Sequence, residues 1–185
     1  MVKNMPEGAF PVAEDNGSGG KKFTFFETHE EFFRETAVDV QKNFYEMIKP
    51  NAWCRAYFDS EFYEEKEGGD GNMEEIIQTI EETMCRMWQA EMSKRGERDL
   101  RKEVLTSSRH DLAAYRYKHS YHVIFAEIYC EGNNDRLKEL VKILVENPKL
   151  QRKGKEGQPM CAIDKNVYSK WQNFRMVESC KRTEE

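Results

Sequence analysis

The 185-residue sequence predicts a mixed α/β (α+β) fold, because short strand-like apolar stretches alternate with amphipathic stretches of helical period. Three stretches carry the prediction. Cys54-Arg55-Ala56-Tyr57-Phe58-Asp59-Ser60-Glu61-Phe62 is led by aromatic and small residues and followed by a polar, glycine-rich loop, the pattern of a buried strand running to a sheet edge. Met73, Ile76, Ile77, Ile80, Met84, Met87 and Trp88 recur at the spacing of one helix face. Lys118 to Tyr129 is strand-like in its middle, with Tyr121, Val123 and Phe125 alternating with Lys118, Ser120 and His122.

Composition bounds the function. The length is enough for one domain with a substantial core. A 38% hydrophobic and 34% charged chain reads as globular and heavily solvated. The net charge of −5 argues against bulk attraction to nucleic acid, but leaves room for a local basic groove. No apolar run approaches the roughly 18 residues of a membrane span, and the N-terminus lacks the apolar core of a signal peptide. The five cysteines are scattered, odd in number and without a CxxC pair, which points to a reducing, intracellular setting and to no zinc site.

In chain order, residues 1–21 read as a flexible leader, with Pro6, Pro11 and the run Asn16-Gly17-Ser18-Gly19-Gly20. Lys21 to Phe26 suits a short strand. Thr28 and Glu31 have capping-box spacing, and Phe33, Ala37, Val40, Phe44 and Ile48 continue at steps of three and four, so one helix is expected up to Pro50. After the acidic strand comes a charged loop, Glu64 to Gly71. The Met73 helix is expected to start at Asn72 and to end at Gly96, behind Lys94 and Arg95. Lys102 to Ser107 suits a strand, and Ser108 to Tyr117 a polar connection. Asn134 or Asp135 would cap a third helix through Leu137, Leu140, Val141 and Leu144, stopped at Asn147-Pro148. Arg152-Lys153-Gly154-Lys155 is a basic loop, either solvated or tracking a phosphate backbone. Met160 to Asp164 is a short apolar strand ending in a carboxylate, and Asn173, Arg175 and Val177 alternate with Phe174 and Met176 in another.

The acidic strand carries the chemistry. Asp59 and Glu61 are two residues apart, so they leave the same face about 7 Å apart along the chain. Burying both costs several kcal/mol unless cations compensate, roughly the penalty of any unpaired interior charge. Paired divalent metals are one compensation; an exposed acidic strand end is the plainer alternative. Lys118, Ser120 and His122 share a face in an extended chain and present a cation, a hydroxyl and an imidazole together, a set suited to phosphate oxygens.

Asp59-x-Glu61, Lys118-x-Ser120-x-His122 and then Asp164 at a strand end stand in a fixed order, within flanks that include Asn43-Phe44-Tyr45-Glu46, Cys54 to Phe62, Ser120-Tyr121-His122-Val123-Ile124-Phe125 and Asp164 to Arg175. This set, over roughly residues 23–181, resembles the catalytic core of the archaeo-eukaryotic primase superfamily, nearest its primase-polymerase branch. The resemblance implies an RRM-like antiparallel sheet with a small N-terminal αβ unit, residues 22–185 forming the catalytic domain. It implies that Asp59, Glu61 and Asp164 bind Mg²⁺ or Mn²⁺ in a two-metal site and are catalytic. Lys118, Ser120 and His122 would contact the nucleotide's phosphates, and Asn173, Arg175 and Lys181 would complete its pocket. At Gln172 the nearest relatives usually carry arginine, so one cation of the pattern is missing. The zinc-binding module that family members often add is not expected in this chain, which would then be a fragment or a minimal form.

The expected function is a metal-dependent DNA primase and DNA-directed polymerase, a nucleotidyltransferase working in DNA replication or damage tolerance. Its partners would be a single-stranded DNA template and primer, (d)NTPs and replication proteins, with no membrane. Its location would be the nucleus or mitochondrion in a eukaryote, or the host cell for a virus. The alternative is a non-catalytic remnant that binds nucleotide or nucleic acid.

Overall fold

A computed structural model describes residues 5–16, 18–39, 42–50, 52–66, 73–88, 100–176 and 179. The fold is mixed α+β, built on antiparallel sheets with few helices. The chain divides into two compact units, residues 1–50 with 170–185 and residues 51–169.

The first unit holds a four-stranded antiparallel sheet in the order β2-β1-β3-β9, from β1 (Phe10–Asp15), β2 (Lys21–Phe26), β3 (Phe44–Ile48) and β9 (Gln172–Arg175). The expectation of a flexible leader over 1–21 is corrected here. β1 pairs with both β2 and β3, and Val12 and Ala13 are buried. The glycine-rich run is a hairpin turn: the Asn16 side-chain carbonyl accepts from the backbone N–H groups of Ser18 and Gly20, and Gly19 takes φ +76°. A turn and a linker share a composition, and only the strands on either side distinguish them.

The first helix, α1, is also shorter than its pattern suggests, spanning His29–Glu35. Thr28 caps it, accepting from the Glu31 N–H at 3.1 Å, while Glu31 reaches back to the Glu27 N–H. Its buried positions are Phe32 and Thr36, whereas Phe33 is exposed. Phe44 and Ile48 lie in a strand because a step of four fits period 2 as well as period 3.6. Tyr45 and Met47 between them are apolar too, and in β3 both sheet faces are covered. Phe44 joins Phe10, Val12, Phe26 and Phe32 on one side, and Tyr45 and Met47 join Ala13 on the other. Val40, Asn72, Gly96 and Val177, which the sequence assigned to element interiors or ends, lie outside the described residues.

The second unit carries a three-stranded antiparallel sheet, β4-β6-β5, from β4 (Trp53–Glu64), β5 (Lys102–Asp111) and β6 (Arg116–Glu131). Ser108 to Tyr117 is therefore not a plain connection: both strands extend into it, and Asp111 accepts from the Ala113 and Ala114 N–H groups to turn the chain. Phe58, Phe62, Val123 and Phe125 are fully buried, with the Phe58 and Phe125 rings edge to face at 5.9 Å. Helix α2 (Met73–Met87) buries Ile76, Ile77, Ile80 and Met84. Thr79 and Thr83 join that face because each hydroxyl donates to the carbonyl one turn back.

A π-helical turn (Gly132–Leu137) leads into α3 (Lys138–Val145), so the third helical segment begins before Asn134. Leu137, Leu140, Val141 and Leu144 are buried as their spacing requires. The basic loop is the hairpin of β7 (Gln151–Lys153) and β8 (Pro159–Cys161). Its cations are paired: Arg152 with Glu75 at 2.8 Å, Lys153 with Glu65 at 3.1 Å and Lys155 with Asp111 at 3.4 Å. No helix among the described residues is long and apolar enough to cross a membrane.

Candidate active site

Strand pairing assembles the site. In the β4–β6 ladder Asp59 faces His122, Glu61 faces Ser120 and Tyr63 faces Lys118. Directly opposed residues leave the same side of a sheet, so Asp59, Glu61, Lys118, Ser120 and His122 share one face. The opposite face holds Phe58, Ser60, Phe62, Val123 and Phe125. Alternation along two strands thus puts the acids and the Lys118, Ser120 and His122 trio on one face, flanked there by buried Tyr57 and Tyr63.

Asp164 reaches the same face from the other edge of β4. Ser60 and Ile163 form an antiparallel bridge, with the Asp164 N–H donating to the Asp59 carbonyl at 2.8 Å and the Glu61 N–H donating to the Ala162 carbonyl at 2.7 Å. Those two bonds set Asp164 opposite Asp59, so the two carboxylates are cross-strand neighbours. Asp164 also caps the single helical turn Lys165–Val167, accepting from the Asn166 N–H at 2.8 Å.

Two tyrosines hold that turn. The Tyr168 hydroxyl donates to the Tyr57 carbonyl at 3.0 Å, the Tyr57 hydroxyl donates to the Val167 carbonyl at 2.8 Å, and the rings stack at 5.4 Å. Tyr57 and Tyr168 were not singled out as site residues from sequence. A signal existed for Tyr57, which has the parity of Asp59 on β4; none existed for the reciprocal bonds with Tyr168. On β5, Ser107 faces Ser120 and Arg109 faces Lys118, extending the polar face by one strand. That extension too was missed, since the strand was expected to stop at Ser107.

Electrostatics distinguish the acids. Burial pushes the Asp59 carboxyl above its ordinary range, and Asp164 and Glu61 push it the same way, while His122 and Lys118 pull against them. Asp59 Oδ1 is buried without a hydrogen bond, and His122 Nε2 lies 3.5 Å from it. Glu61, more exposed, pairs with Lys118 Nζ at 2.6 Å. A cavity of about 570 Å³ opens beside Glu61 and Asp164, floored by Met160, Cys161 and Ala162.

The donor set suits a hard divalent cation, being three carboxylates with oxygen donors only. The buried, unbonded Asp59 oxygen and the raised Asp59 pKa mark a place where positive charge is short. Among the described residues, however, no group of three His, Cys, Asp or Glu side chains is placed to hold a metal ion. Glu61 is turned to Lys118 and Asp164 to its own cap. The three carboxylates match a hard metal in donor type and share one face, but as they stand they are not gathered around a common point.

Asn173 and Arg175 belong to the first unit, on β9, where they face Met47 and Tyr45 across the ladder; Asn173 Oδ1 and Arg175 Nε are buried without hydrogen bonds. Gln172 faces Ile48 on the same strand. Lys181 lies outside the described residues. No family model matches this chain, and no curated protein matches it in sequence.

Proposed function

We propose that the chain is a metal-dependent nucleotidyltransferase of the primase-polymerase type, extending a DNA primer on a single-stranded template from nucleoside triphosphates. One observation carries the reading: three carboxylates from β4 and the segment after β8 share a sheet face with a lysine, a serine and a histidine from β6. An anion-binding trio beside a carboxylate cluster is what transfer of a nucleotidyl group requires, since the substrate is a polyanion and the reacting phosphorus needs its charge neutralised.

Asp59, Glu61 and Asp164 would hold Mg²⁺ or Mn²⁺. Bound there, the metal would supply Lewis-acid activation of the attacking 3′-hydroxyl and charge stabilisation at the departing pyrophosphate. The chain's own groups do the rest. Lys118 leaves Glu61 for a phosphate oxygen, which frees Glu61 in the same movement. Ser120 donates its hydroxyl to a neighbouring oxygen. His122 donates a ring N–H to a further phosphate oxygen. Tyr57 and Tyr168 hold Asp164 in place while the charges change.

The experiment is extension of a labelled primer on a DNA template with Mn²⁺ or Mg²⁺ and dNTPs, run with wild type and with a folded Asp59→Ala variant. Extension by the wild type, lost without metal and lost in the variant, is expected. A second reading has its own observation, the 2.6 Å Lys118–Glu61 pair, which satisfies both charges without metal. In that reading the chain binds nucleotide or nucleic acid and does not catalyse. Metal-independent binding with no extension would favour it.

A further inference from the structure

We infer that Cys54 and Cys130 form an oxidisable dithiol site, closing a disulfide between β4 and β6 on exposure to peroxide. The two residues are direct partners in the antiparallel ladder. Opposed antiparallel residues have Cα atoms about 4.5–5.5 Å apart, within the roughly 4.4–6.8 Å spanned by disulfides, and their side chains leave one face. Neither is in a disulfide in this structure. The other described cysteines, on α2 and β8, stand in no such register: Cys85 is exposed on its helix and Cys161 faces Gln151.

Their surroundings set an order of reaction. Cys54 is half-buried, within reach of a small oxidant, whereas Cys130 is buried and its thiol is pushed up to about 11 by burial. The Cys54 thiolate attacks one oxygen of hydrogen peroxide, breaking the O–O bond to give a sulfenic acid and hydroxide, which takes up the released proton as water. The Cys130 sulfur then attacks the Cys54 sulfur. The S–O bond breaks, Cys130 loses its proton, and a second water leaves. Two thiols are oxidised by two electrons and one peroxide is reduced.

The site lies next to an irregularity in the ladder. Between Arg55 and Ala56 the register shifts, so that Arg55 faces Tyr129 and Ala56 faces Phe125, leaving Ala126, Glu127 and Ile128 as extra residues on β6. Cys54 lies beyond that irregularity, five positions before Asp59 on the same strand. A covalent link there ties the start of β4 to β6 on the far side of the irregularity.

The test uses the full chain, treated with hydrogen peroxide, alkylated and mapped without reductant. Two of the five thiols should become unreactive, with one linked peptide pair containing Cys54 and Cys130, reversed by dithiothreitol. In Cys130→Ala, which introduces no buried polar group, Cys54 should stop at a sulfenic acid captured by dimedone. In Cys54→Ser, Cys130 should remain alkylatable after unfolding. The oxidised wild type should melt several degrees above the reduced form, since the link closes a long loop of the unfolded chain. Peroxide that oxidises exposed Cys85 while leaving Cys54 and Cys130 both alkylatable would overturn the site. So would a link from Cys54 to any other cysteine, and an unchanged or lower melting temperature would overturn the staple.

Discussion

The two faces of the β4–β6 pair are made by adjacent residues and obey opposite rules. Phe58, Phe62, Val123 and Phe125 point one way and are excluded from solvent. Asp59, Glu61, Lys118, Ser120 and His122 point the other way and are partly exposed, with Glu61 paired to Lys118. On the first face these apolar side chains add stability by burial. On the second, at Asp59, a carboxyl is kept where its charge is disfavoured, and local stability is given up to do it. Strand alternation lets two neighbouring positions carry these two tasks, and substitutions one residue apart should separate them.

The largest contrast is between Phe58 and Asp59. Phe58→Ala should cost about 3–5 kcal/mol of stability, through lost burial and a cavity beside Phe125, as read from a denaturation midpoint. Asp59→Ala should abolish nucleotide incorporation and leave that midpoint unchanged or raised, because removing one crowded acid relieves repulsion. A folded Asp59→Ala protein that still extends primers would break the comparison at its centre.

A smaller effect is expected at His122. His122→Ala should weaken nucleotide binding by about 1.5–3 kcal/mol, the range for loss of a charge-assisted hydrogen bond, with metal affinity of the carboxylates largely kept. His122→Asn should recover part of the loss, since an amide still donates. Titrating nucleotide and Mn²⁺ separately on the three proteins decides it. Loss of a metal ion with nucleotide affinity intact would move His122 among the ligands.

The pH dependence of stability tests Asp59 without any substrate. Its folded pKa is raised, chiefly by burial, so the native state holds its proton to higher pH than the unfolded chain does. The group therefore disfavours folding once it ionises. Its contribution is most favourable below the unfolded carboxylate pKa and is lost as pH rises through the window between the unfolded and folded values. Asp59→Asn should flatten that slope in metal-free protein. An unaltered slope would show that burial at Asp59 is not felt as charge.

The smallest effect belongs to the Lys118–Glu61 pair. Both groups are partly solvated, so Lys118→Met should change stability by no more than about 1 kcal/mol. If Glu61 is waiting for a metal, the same substitution should tighten Mn²⁺ binding while weakening that of nucleotide. Weaker binding of both would mean that Lys118 positions Glu61 and does not compete for it.

Much of this was legible in the chain itself. The acidic strand, the face shared by Lys118, Ser120 and His122, the N-cap at Thr28 and the buried stripe of α2 all follow from local spacing, and the structure has each of them. Local spacing also misled. Phe44 and Ile48 satisfy helix and strand periods alike, and the Asn16 to Gly20 run looks the same in a hairpin turn as in a linker. In both places the deciding term is the neighbour: β1 lies between β2 and β3, and its buried face makes strands of them all.

What the sequence by itself determined is therefore which residues share a face, because alternation is a property of one strand and needs no partner. What only the tertiary structure decided is which faces meet. Asp164 is far from Asp59 along the chain, and no periodicity links them. Two backbone hydrogen bonds across the Ser60–Ile163 bridge, held by the reciprocal bonds of Tyr57 and Tyr168, set it opposite. The same is true of Cys54 and Cys130, and of the division that puts Asn173 and Arg175 in the first unit beside β3. Long-range register is chosen by the summed burial and hydrogen bonding of whole strands, and that sum is written in no single stretch of sequence.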